Sequence, residues 1–296
     1  MFINKEYLTF INQSKKDALN IVGVSVIDTL GSTYAKTGNM LLINSKFEYV
    51  GVLGSPWLHE KMLDLSKKAL ESGETICYEN IPKEKTSGHG VSKYLIQAFF
   101  YSDNYGALGA AMDNYGKTLI RSTLNGNFEI VNKKYTTKLY DNKFYQTIQT
   151  PYSLLIFGTG DHVSSLISMA NLMGWKTTVI DLKIIEHTVL EADNIIHLEY
   201  LQDILSLNLT SYNASVILSH SSKTDDVYLE ALLSSDVEYI GILGNKKNMK
   251  KKIKQFSLED DKRVFTPVGL DIGGIYHQSI ALSICSQIEA RKNGKI

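Results

Sequence analysis

Two glycines between an apolar run and an amphipathic segment are the first residues of this chain with a defined chemistry. The stretch LLIFGTGDHVSSL, residues 154–166, places Gly158 and Gly160 directly after a predicted strand and before a predicted helix. Such a turn aims backbone N–H groups and the positive end of a helix dipole at a phosphate. The dinucleotide pattern G-x-G-x-x-G needs a third small residue at position 163, where this chain has Val163, which we expect to push the helix outward. Two interpretations stay open: a phosphate-binding turn, or a tight turn without a ligand.

Polar residues after the following predicted strands extend this candidate site. Asp181 ends the next strand, roughly 20 residues after the glycine turn, where a carboxylate accepts hydrogen bonds from ribose hydroxyls. The loop SHSSKTDD, residues 219–226, offers Ser219 and His220 for holding an anion or moving a proton. A capping role for His220 remains an equal alternative, because a helix is predicted to start there.

Four further residues complete the predicted cofactor-binding set. They are Asp161 directly after the glycine turn, Gly244 and Asn245 after the strand EYIGILG, and Asp271 within GLDIGG. Glycines around Asp271 let a backbone or a ligand approach closely, although a structural turn explains them nearly as well. Because the carboxyl ends of parallel strands form the ligand crevice of such a sheet, we expect these loops to face one another.

No catalytic residue and no metal ligand is predicted. The pair His59-Glu60 does not continue to the H-E-x-x-H pattern of zinc peptidases, because position 63 is leucine. Cys77 and Cys285 have no partner at a spacing typical of metal sites, and Cys285 falls on the apolar face of a predicted helix, where an inert thiol is expected.

Length and composition limit the classes of protein to which this chain can belong. The 296 residues suffice for two domains, and 44% hydrophobic with 21% charged residues is the balance of a globular protein. A formal net charge of zero argues against nucleic-acid binding, and no apolar run approaches the ~20 residues of a membrane span. Two cysteines make no disulfide framework, so we expect a cytoplasmic protein.

The order of predicted elements divides the chain into two domains. Residues 151–296 alternate strands with helices, which predicts an α/β domain with a Rossmann-like, doubly wound parallel sheet. Residues 1–145 predict a smaller, mixed α+β domain, and the polar stretch 141–152 is the candidate linker.

Several local patterns predict individual elements. Helices are expected over 5–16, from Pro56 to Gly73 and over 277–292, and strands around 93–101 and 105–112. Thr224 is the expected cap of another helix, and the lysine run 246–254 the solvated face of a basic helix.

Two long segments of the second half resemble the XdhC/CoxI family. They are VILSHSSKTDDVYLEALLSSDVEYIGILGNKKN, residues 216–248, and TPVGLDIGGIYHQSIALSICSQIEARKNGK, residues 266–295. The family's first domain is matched more faintly by GSTYAKTGNMLLI, residues 31–43, and VGVLGSPWLHE, residues 50–60.

The resemblance implies an accessory protein for molybdenum hydroxylases of the xanthine dehydrogenase type. Members bind the molybdenum cofactor, a phosphorylated pterin, protect it as a chaperone and pass it to the apo-enzyme, and they work as homodimers. The resemblance therefore implies molybdopterin as the cofactor, ahead of NAD(P), and a protein that is not itself an enzyme.

The chain departs from the family pattern at the residues that would contact a metal. Trp57 stands where the family has a cysteine, Tyr34-Ala35-Lys36 replaces a proline-arginine element, and Gly88 or His89 takes the place of a second cysteine. Because a thiolate is a soft metal ligand and an indole is not, we expect any cofactor binding to be thiol-independent.

Two other functions remain open on sequence alone. One is an NAD(P)-dependent oxidoreductase that uses Gly158, Gly160 and Asp181, for which only His220 offers an acid or base. The other is an interaction module that keeps the fold without a ligand.

Overall fold

A computed structural model describes residues 1–82, 90–219 and 221–296. The chain forms two compact units, Met1–Thr150 and Pro151–Ile296. The first, unit 1, contains two antiparallel sheets, and the second, unit 2, contains one parallel sheet.

Unit 1 consists of three helices and nine strands in its described residues. In chain order these are α1 (Lys5–Lys16), β1 (Ile21–Leu30), β2 (Met40–Asn44), β3 (Tyr49–Val50), α2 (Pro56–Ser72), β4 (Ile76–Asn80), β5 (Val91–Phe99), α3 (Gly106–Met112), β6 (Thr118–Ser122), β7 (Phe128–Val131), β8 (Lys138–Tyr140) and β9 (Lys143–Thr147). The larger sheet has the order β3-β2-β1-β5-β4 and the smaller sheet the order β7-β6-β9-β8.

The two long helices of unit 1 are those predicted from the sequence. Asn4 caps α1 by accepting the Glu6 N–H at 2.7 Å. Ser55 caps α2, Pro56 occupies its first turn, and Gly73 ends it with φ of 73°. A polar cap, an early proline and a final glycine are the signals that specify helix ends locally.

Two predictions for unit 1 are wrong. Residues 106–112 form helix α3 and not a strand, because GALGAAM is rich in alanine and lacks the β-branched residues that favour strands. The candidate linker 141–152 contains strand β9, in which Phe144 and Gln146 point inward while Lys143 stays exposed. That alternation of period two is a strand pattern, and β9 pairs with both β6 and β8.

A buried arginine joins the two sheets of unit 1. Arg121 on β6 is fully buried and donates to Ser25 Oγ at 2.8 Å, Gln97 Oε1 at 3.0 Å and Gln146 Oε1 at 3.1 Å. Its guanidinium also lies 5.4 Å from the centre of the Phe144 ring. Burial lowers the pKa of Arg121 to about 10, because desolvation disfavours the charged form of the guanidinium.

Unit 2 alternates six strands with four helices in its described residues. In chain order these are β10 (Ser153–Phe157), α4 (Asp161–Leu172), β11 (Lys176–Asp181), β12 (Asn194–His197), β13 (Ala214–Ile217), α5 (Ser222–Leu233), β14 (Tyr239–Ile242), α6 (Lys246–Phe256), β15 (Val264–Phe265) and α7 (His277–Lys292). The strands pair in parallel in the order β12-β11-β10-β13-β14-β15. This order is that of a doubly wound Rossmann sheet, which confirms the predicted fold class.

Helices α5 and α6 differ from their predicted details. Helix α5 begins at Ser222 with Ser221 as its cap residue, and Thr224 lies within the first turn with its hydroxyl donated to Ser221 O at 3.0 Å. Not every lysine of the basic helix α6 faces solvent, because Lys252 is buried and pairs with Asp226 of α5. The packing of α6 therefore places Lys252 against helix α5.

We expect Arg121→Ala to destabilise unit 1 by about 3 kcal/mol, because three buried oxygen acceptors lose their donor. Urea denaturation followed by circular dichroism measures the change in the free energy of unfolding. The control is Lys143→Ala, which removes an exposed contact of 3.4 Å to Glu129 and should cost less than about 1 kcal/mol. Equal effects of the two substitutions would contradict a special role of the buried arginine.

Candidate functional site

The strand order of unit 2 reverses direction at β10. Strand β11 lies on one side of β10 and β13 on the other, so the loops after these three strands meet at one edge of the sheet. In open parallel sheets, this point is where ligands bind. We refer to the space between these loops as the crevice.

Gly158 determines how closely the loops after β10 and β13 approach each other. Its φ is +118°, and a Cβ at this position would lie 2.8 Å from Leu218 O and 2.9 Å from the Leu218 carbonyl carbon. Its N–H donates to Ile180 O at 3.1 Å. Only glycine fits between these backbones, so the residue type follows from the close approach and the positive φ together.

Gly160 ends the turn and begins helix α4. With φ of 119° and ψ of 174° it occupies a region of backbone space that is essentially restricted to glycine. Its N–H donates to Thr188 Oγ1 at 3.0 Å, and its carbonyl accepts the Val163 and Ser164 N–H groups. Thr159 Oγ1 donates to Lys183 O at 3.1 Å. The turn is thus tied to β11 and to the segment after it, and the N–H groups of both Gly158 and Gly160 are committed inside the protein.

Val163, in the third position of the glycine pattern, does not fill the turn. Its side chain is fully buried in the apolar core of unit 2, with Leu154 and Ile156 of β10. Helix α4 still begins at Asp161, directly after the turn, and Asp161 itself is exposed. The core of unit 2 thus accommodates this valine, and its outward push on α4 stays a prediction.

His162 is a residue of the crevice that the sequence patterns missed. Its Nε2 lies 3.1 Å from Leu218 O, so the imidazole reaches from the start of α4 to the loop after β13. A Cβ at Gly160 would lie 3.1 Å from the ring carbon Cε1. Because a carbonyl oxygen only accepts, Nε2 carries the proton in this contact. Position 162 is one of the places at which the G-x-G-x-x-G pattern accepts any residue, so the pattern gave no signal for this role.

Asp181 stands at the end of β11, beside the glycine turn. Its Oδ1 accepts the Leu182 N–H at 2.7 Å. Burial raises the pKa of this carboxyl, while the N–H groups of Leu182 and Lys183 oppose that rise. The residue as a whole is half-buried at this strand end.

Tyr228 of α5 is the second residue that sequence reasoning missed. Its ring stacks on Phe157 of β10, with the ring centres 4.4 Å apart. Its hydroxyl is buried near Asp181 and has no partner at hydrogen-bond distance among the described residues. Burial and the charge of Asp181 both raise the pKa of Tyr228, so the hydroxyl keeps its proton near this carboxylate.

The loop after β13 is held by the first turn of α5. Ser219 Oγ donates to Asp225 Oδ1 at 2.6 Å and lies 2.8 Å from Thr224 Oγ1. Asp225 is buried. The Ser219 hydroxyl therefore has a structural role in this loop, and His220 lies outside the described residues.

Three predicted site residues belong to the outer strands. Asn245 caps α6 by accepting the Asn248 N–H at 2.9 Å, and a Cβ at Gly244 would overlap the side chain of Met249. Asp271 is exposed in the segment between β15 and α7. The structure thus gathers Gly158, Gly160, Asp181 and Ser219 at the reversal point, while these three follow β14 and β15.

The thiols offer little to a metal ion. Cys285 is buried, which raises its pKa to about 12. Cys77 is exposed on β4, donates to Thr123 O at 3.4 Å and has a pKa raised by burial of its sulfur. Trp57 is 55% exposed on the first turn of α2, and the loop with Gly88 and His89 lies outside the described residues.

Neither a metal cluster nor a membrane span occurs in the described ranges. Within 1–82, 90–219 and 221–296, no group of three or more His, Cys, Asp or Glu side chains is placed to hold a metal ion. No helix in the same ranges has the length and apolar character that crossing a bilayer requires.

Comparison with known proteins connects unit 2 to one family. Residues 154–288 match the family described as the XdhC Rossmann domain. A curated relative from Bacillus subtilis (strain 168), described as a probable subunit of xanthine dehydrogenase, is 27% identical over 150 residues, which are 50% of this chain and 45% of that protein. The matched part thus spans less than half the length of this relative. These matches confirm the resemblance to the XdhC/CoxI family.

A solved structure shares the fold of the whole chain. It is described as a xanthine dehydrogenase from Bacillus halodurans, and it is 21% identical to this chain with a TM-score of 0.80. The alignment covers 100% of this chain and 97% of that one. At this identity the match establishes the fold of both units.

We expect Gly158→Ala to destabilise unit 2 by about 3 kcal/mol, because the new Cβ meets the Leu218 backbone and the positive φ is strained. Fluorescence of Trp175, which is buried in this unit, reports its unfolding in urea. Gly273→Ala is the matched control: its φ is also positive, at 75°, but its Cβ meets nothing within 4 Å, so about 1 kcal/mol is expected. If the control costs as much, the contact with Leu218 is not what requires glycine.

Proposed function

Because residues 154–288 form an XdhC Rossmann domain, we propose that this protein is an accessory factor for an enzyme of the xanthine dehydrogenase type. In this role it binds molybdenum cofactor, or a related phosphorylated pterin or nucleotide, and assists its insertion into the apo-enzyme. The observation that carries the proposal is the turn Gly158–Gly160, which places the start of α4 at the reversal point of the sheet.

The crevice has the features of a phosphate-binding site. Gly158 lets the loops after β10 and β13 approach each other, and α4 presents its N-terminal end there. A helix N-terminus favours an anionic group. Asp181 at the neighbouring strand end adds an acceptor for a ligand hydroxyl.

The residues of this chain fit the organic part of the cofactor better than its metal. A dithiolene-bound molybdenum would supply redox chemistry only after delivery to the target enzyme. The described residues offer the crevice a turn, a carboxylate and an imidazole, while both thiols have raised pKa values and therefore little thiolate. Binding through the phosphate and the hydroxyls follows from this donor set.

The runner-up function is an NAD(P)-dependent oxidoreductase. Asp181 at the end of β11 specifically favours it, because a carboxylate at this place accepts the ribose hydroxyls of a dinucleotide. The alternative lacks a defined proton donor for a substrate in the described residues, because His162 is engaged with Leu218 O. The glycine turn serves either ligand, so binding experiments decide between them.

The proposal predicts that the protein binds metal-free molybdopterin more tightly than NADH in isothermal titration calorimetry. It also predicts that protein loaded with molybdenum cofactor restores activity to an apo-xanthine dehydrogenase. NADH binding in the low micromolar range without molybdopterin binding would reverse the order of the two functions.

Asp181→Ala should weaken binding of the ligand that the crevice prefers by roughly 1.5–3 kcal/mol, the range for a hydrogen bond to a charged group. The same calorimetric titration measures the loss. The control Asp260→Ala removes an exposed carboxylate from the turn after α6 and should leave the affinity unchanged. An effect of a few tenths of a kcal/mol for both variants would remove Asp181 from the site.

Cofactor binding is expected to be independent of thiols. Alkylation with iodoacetamide under native conditions should leave molybdopterin affinity unchanged, because Cys285 is buried and Cys77 lies on β4. Cys77→Ser serves as the control for modification, and Trp57→Cys should make the binding sensitive to alkylation. Loss of binding in Cys77→Ser would show that Cys77 occupies the site that the family gives to a cysteine.

A further inference from the structure

Unit 1 contains a cavity of about 570 Å³ whose lining residues are all described. It lies between the glycine that ends α2, the last residues of β5, the start of α3 and the segment 125–128 between β6 and β7. We call it the α3 cavity. Its volume falls in the range of small-molecule sites, which are about 300–1,000 Å³.

One wall of the α3 cavity is held by an amide side chain that is engaged at both ends. Gln97 of β5 is buried, donates its Nε2 to Gly126 O at 3.3 Å, and accepts from Arg121 at its Oε1 over 3.0 Å. Gly126 has a φ of +74°, and a Cβ there would overlap Thr75 Oγ1. The segment 125–128 therefore lies close against β5, and this wall is a fixed part of the fold.

The lining of the α3 cavity carries a negative charge. Among the described residues that line it, Asp103 alone has a charged side chain. A Cβ at Gly106 would lie 3.3 Å from Asp103 Oδ2, which places the carboxylate at the start of α3. Asp103 is exposed, and within the described ranges its carboxylate makes neither an ion pair nor a hydrogen bond. This charge is therefore available to a ligand.

The end of helix α2 adds to the negative potential of the cavity. The helix ends at Ser72, and Gly73, which follows it, belongs to the lining. A helix C-terminus carries a partial negative charge that lysine or arginine commonly offsets. The last four residues of α2, ALES, contain no basic side chain, and Glu71 and Glu74 are exposed carboxylates on either side of the helix end. The potential of this region therefore favours a cation.

Arg121 and Lys15 are cations near the cavity, but neither belongs to its described lining. Arg121 is fully buried behind Gln97. Lys15 is exposed, and its Nζ lies 3.4 Å from Asn104 Oδ1, so solvent screens its charge. Because Arg121 repels a bound cation from the wall formed by Gln97, the favourable place for a positive charge is at Asp103.

Aromatic rings determine which kind of cation fits. Phe99 is buried, Phe100 is half-buried, and Phe128 is 43% exposed at the start of β7. An organic cation gains from the face of an aromatic ring. A metal ion such as Ca²⁺ or Mg²⁺ instead needs several oxygen ligands. One carboxylate beside phenylalanine rings therefore matches an ammonium group that has carbon substituents.

We propose that the α3 cavity binds a small organic ammonium ion. The carboxylate of Asp103 pairs with its charge, and the ring of Phe128 contacts its carbon substituents. None of these residues belongs to the crevice of unit 2, so this second site does not rest on the proposed function.

The test is a calorimetric titration of the full chain with a quaternary ion, choline, and a primary one, butylammonium. Their uncharged counterparts of similar shape are 3,3-dimethylbutan-1-ol and butan-1-ol. At least one of the two ions should bind with a Kd below about 1 mM, and its uncharged counterpart should bind at least about 5-fold more weakly, because the charge pairs with Asp103. The ion that binds more tightly shows whether the cavity takes quaternary or primary amines.

Three variants locate the bound ion. Asp103→Asn should weaken its binding at least about 5-fold, because the carboxylate charge is lost. Asp113→Asn, the same substitution at an exposed residue directly after α3, is the matched control and should bind as the unchanged protein does. Phe128→Leu keeps an apolar side chain and should weaken binding roughly 2- to 5-fold, because the aromatic face is lost.

Three results would overturn the proposal. The first is affinity weaker than about 1 mM for both ammonium ions. The second is equal affinity for the bound ion and its uncharged counterpart, a comparison that uses the unchanged protein and does not depend on the folding of any variant. The third is an equal effect of Asp103→Asn and Asp113→Asn, which would show a general effect of surface charge.

Discussion

The close approach of two backbones at the reversal point of the parallel sheet is the constraint on which the functional half of this protein depends. Gly158 lies against the carbonyl of Leu218, and the same carbonyl accepts from His162. A side chain at position 158 would separate the loops after β10 and β13. The separation of these loops sets the width of the crevice, so a missing Cβ determines what can enter it.

The two units solve the problem of buried polar groups in different ways. In unit 1, Arg121 brings a full charge between two sheets, and its two terminal nitrogens donate to neutral oxygens from three other strands, while its Nε has no partner among the described residues. In unit 2, the buried polar groups Asp225 and Tyr228 lie at the edge of the crevice. Buried polar networks make one arrangement of a core favourable over others, because each unmet partner is costly. The network of Arg121 connects the two sheets of unit 1, whereas Asp225 of unit 2 holds the loop after β13 by accepting the hydroxyl of Ser219.

The chemistry available in the crevice is that of recognition. A bare turn, a helix N-terminus and a carboxylate can bind phosphate and hydroxyl groups, and the imidazole of His162 is engaged with a backbone carbonyl. The described thiols lie outside this set, and both have raised pKa values. The arrangement suits a protein that holds a phosphorylated cofactor, as the proposed function requires.

Local patterns in the sequence determined the elements and the class of fold. The apolar strands, the glycine turn and the cap residues predicted the parallel sheet and placed Gly158, Gly160 and Asp181 at strand ends, since these signals act over a few residues. The roles of His162, Tyr228 and Lys252 were decided by tertiary structure alone. Each acts on a partner that is distant in the chain: Leu218, Asp181 and Asp226. Strand β9 was missed for a related reason, because its short alternation becomes a strand only when β6 and β8 supply hydrogen bonds on both sides. The periodicity of the sequence indicates on which face of a helix or strand a residue lies. Which group that residue contacts depends on how separate elements pack.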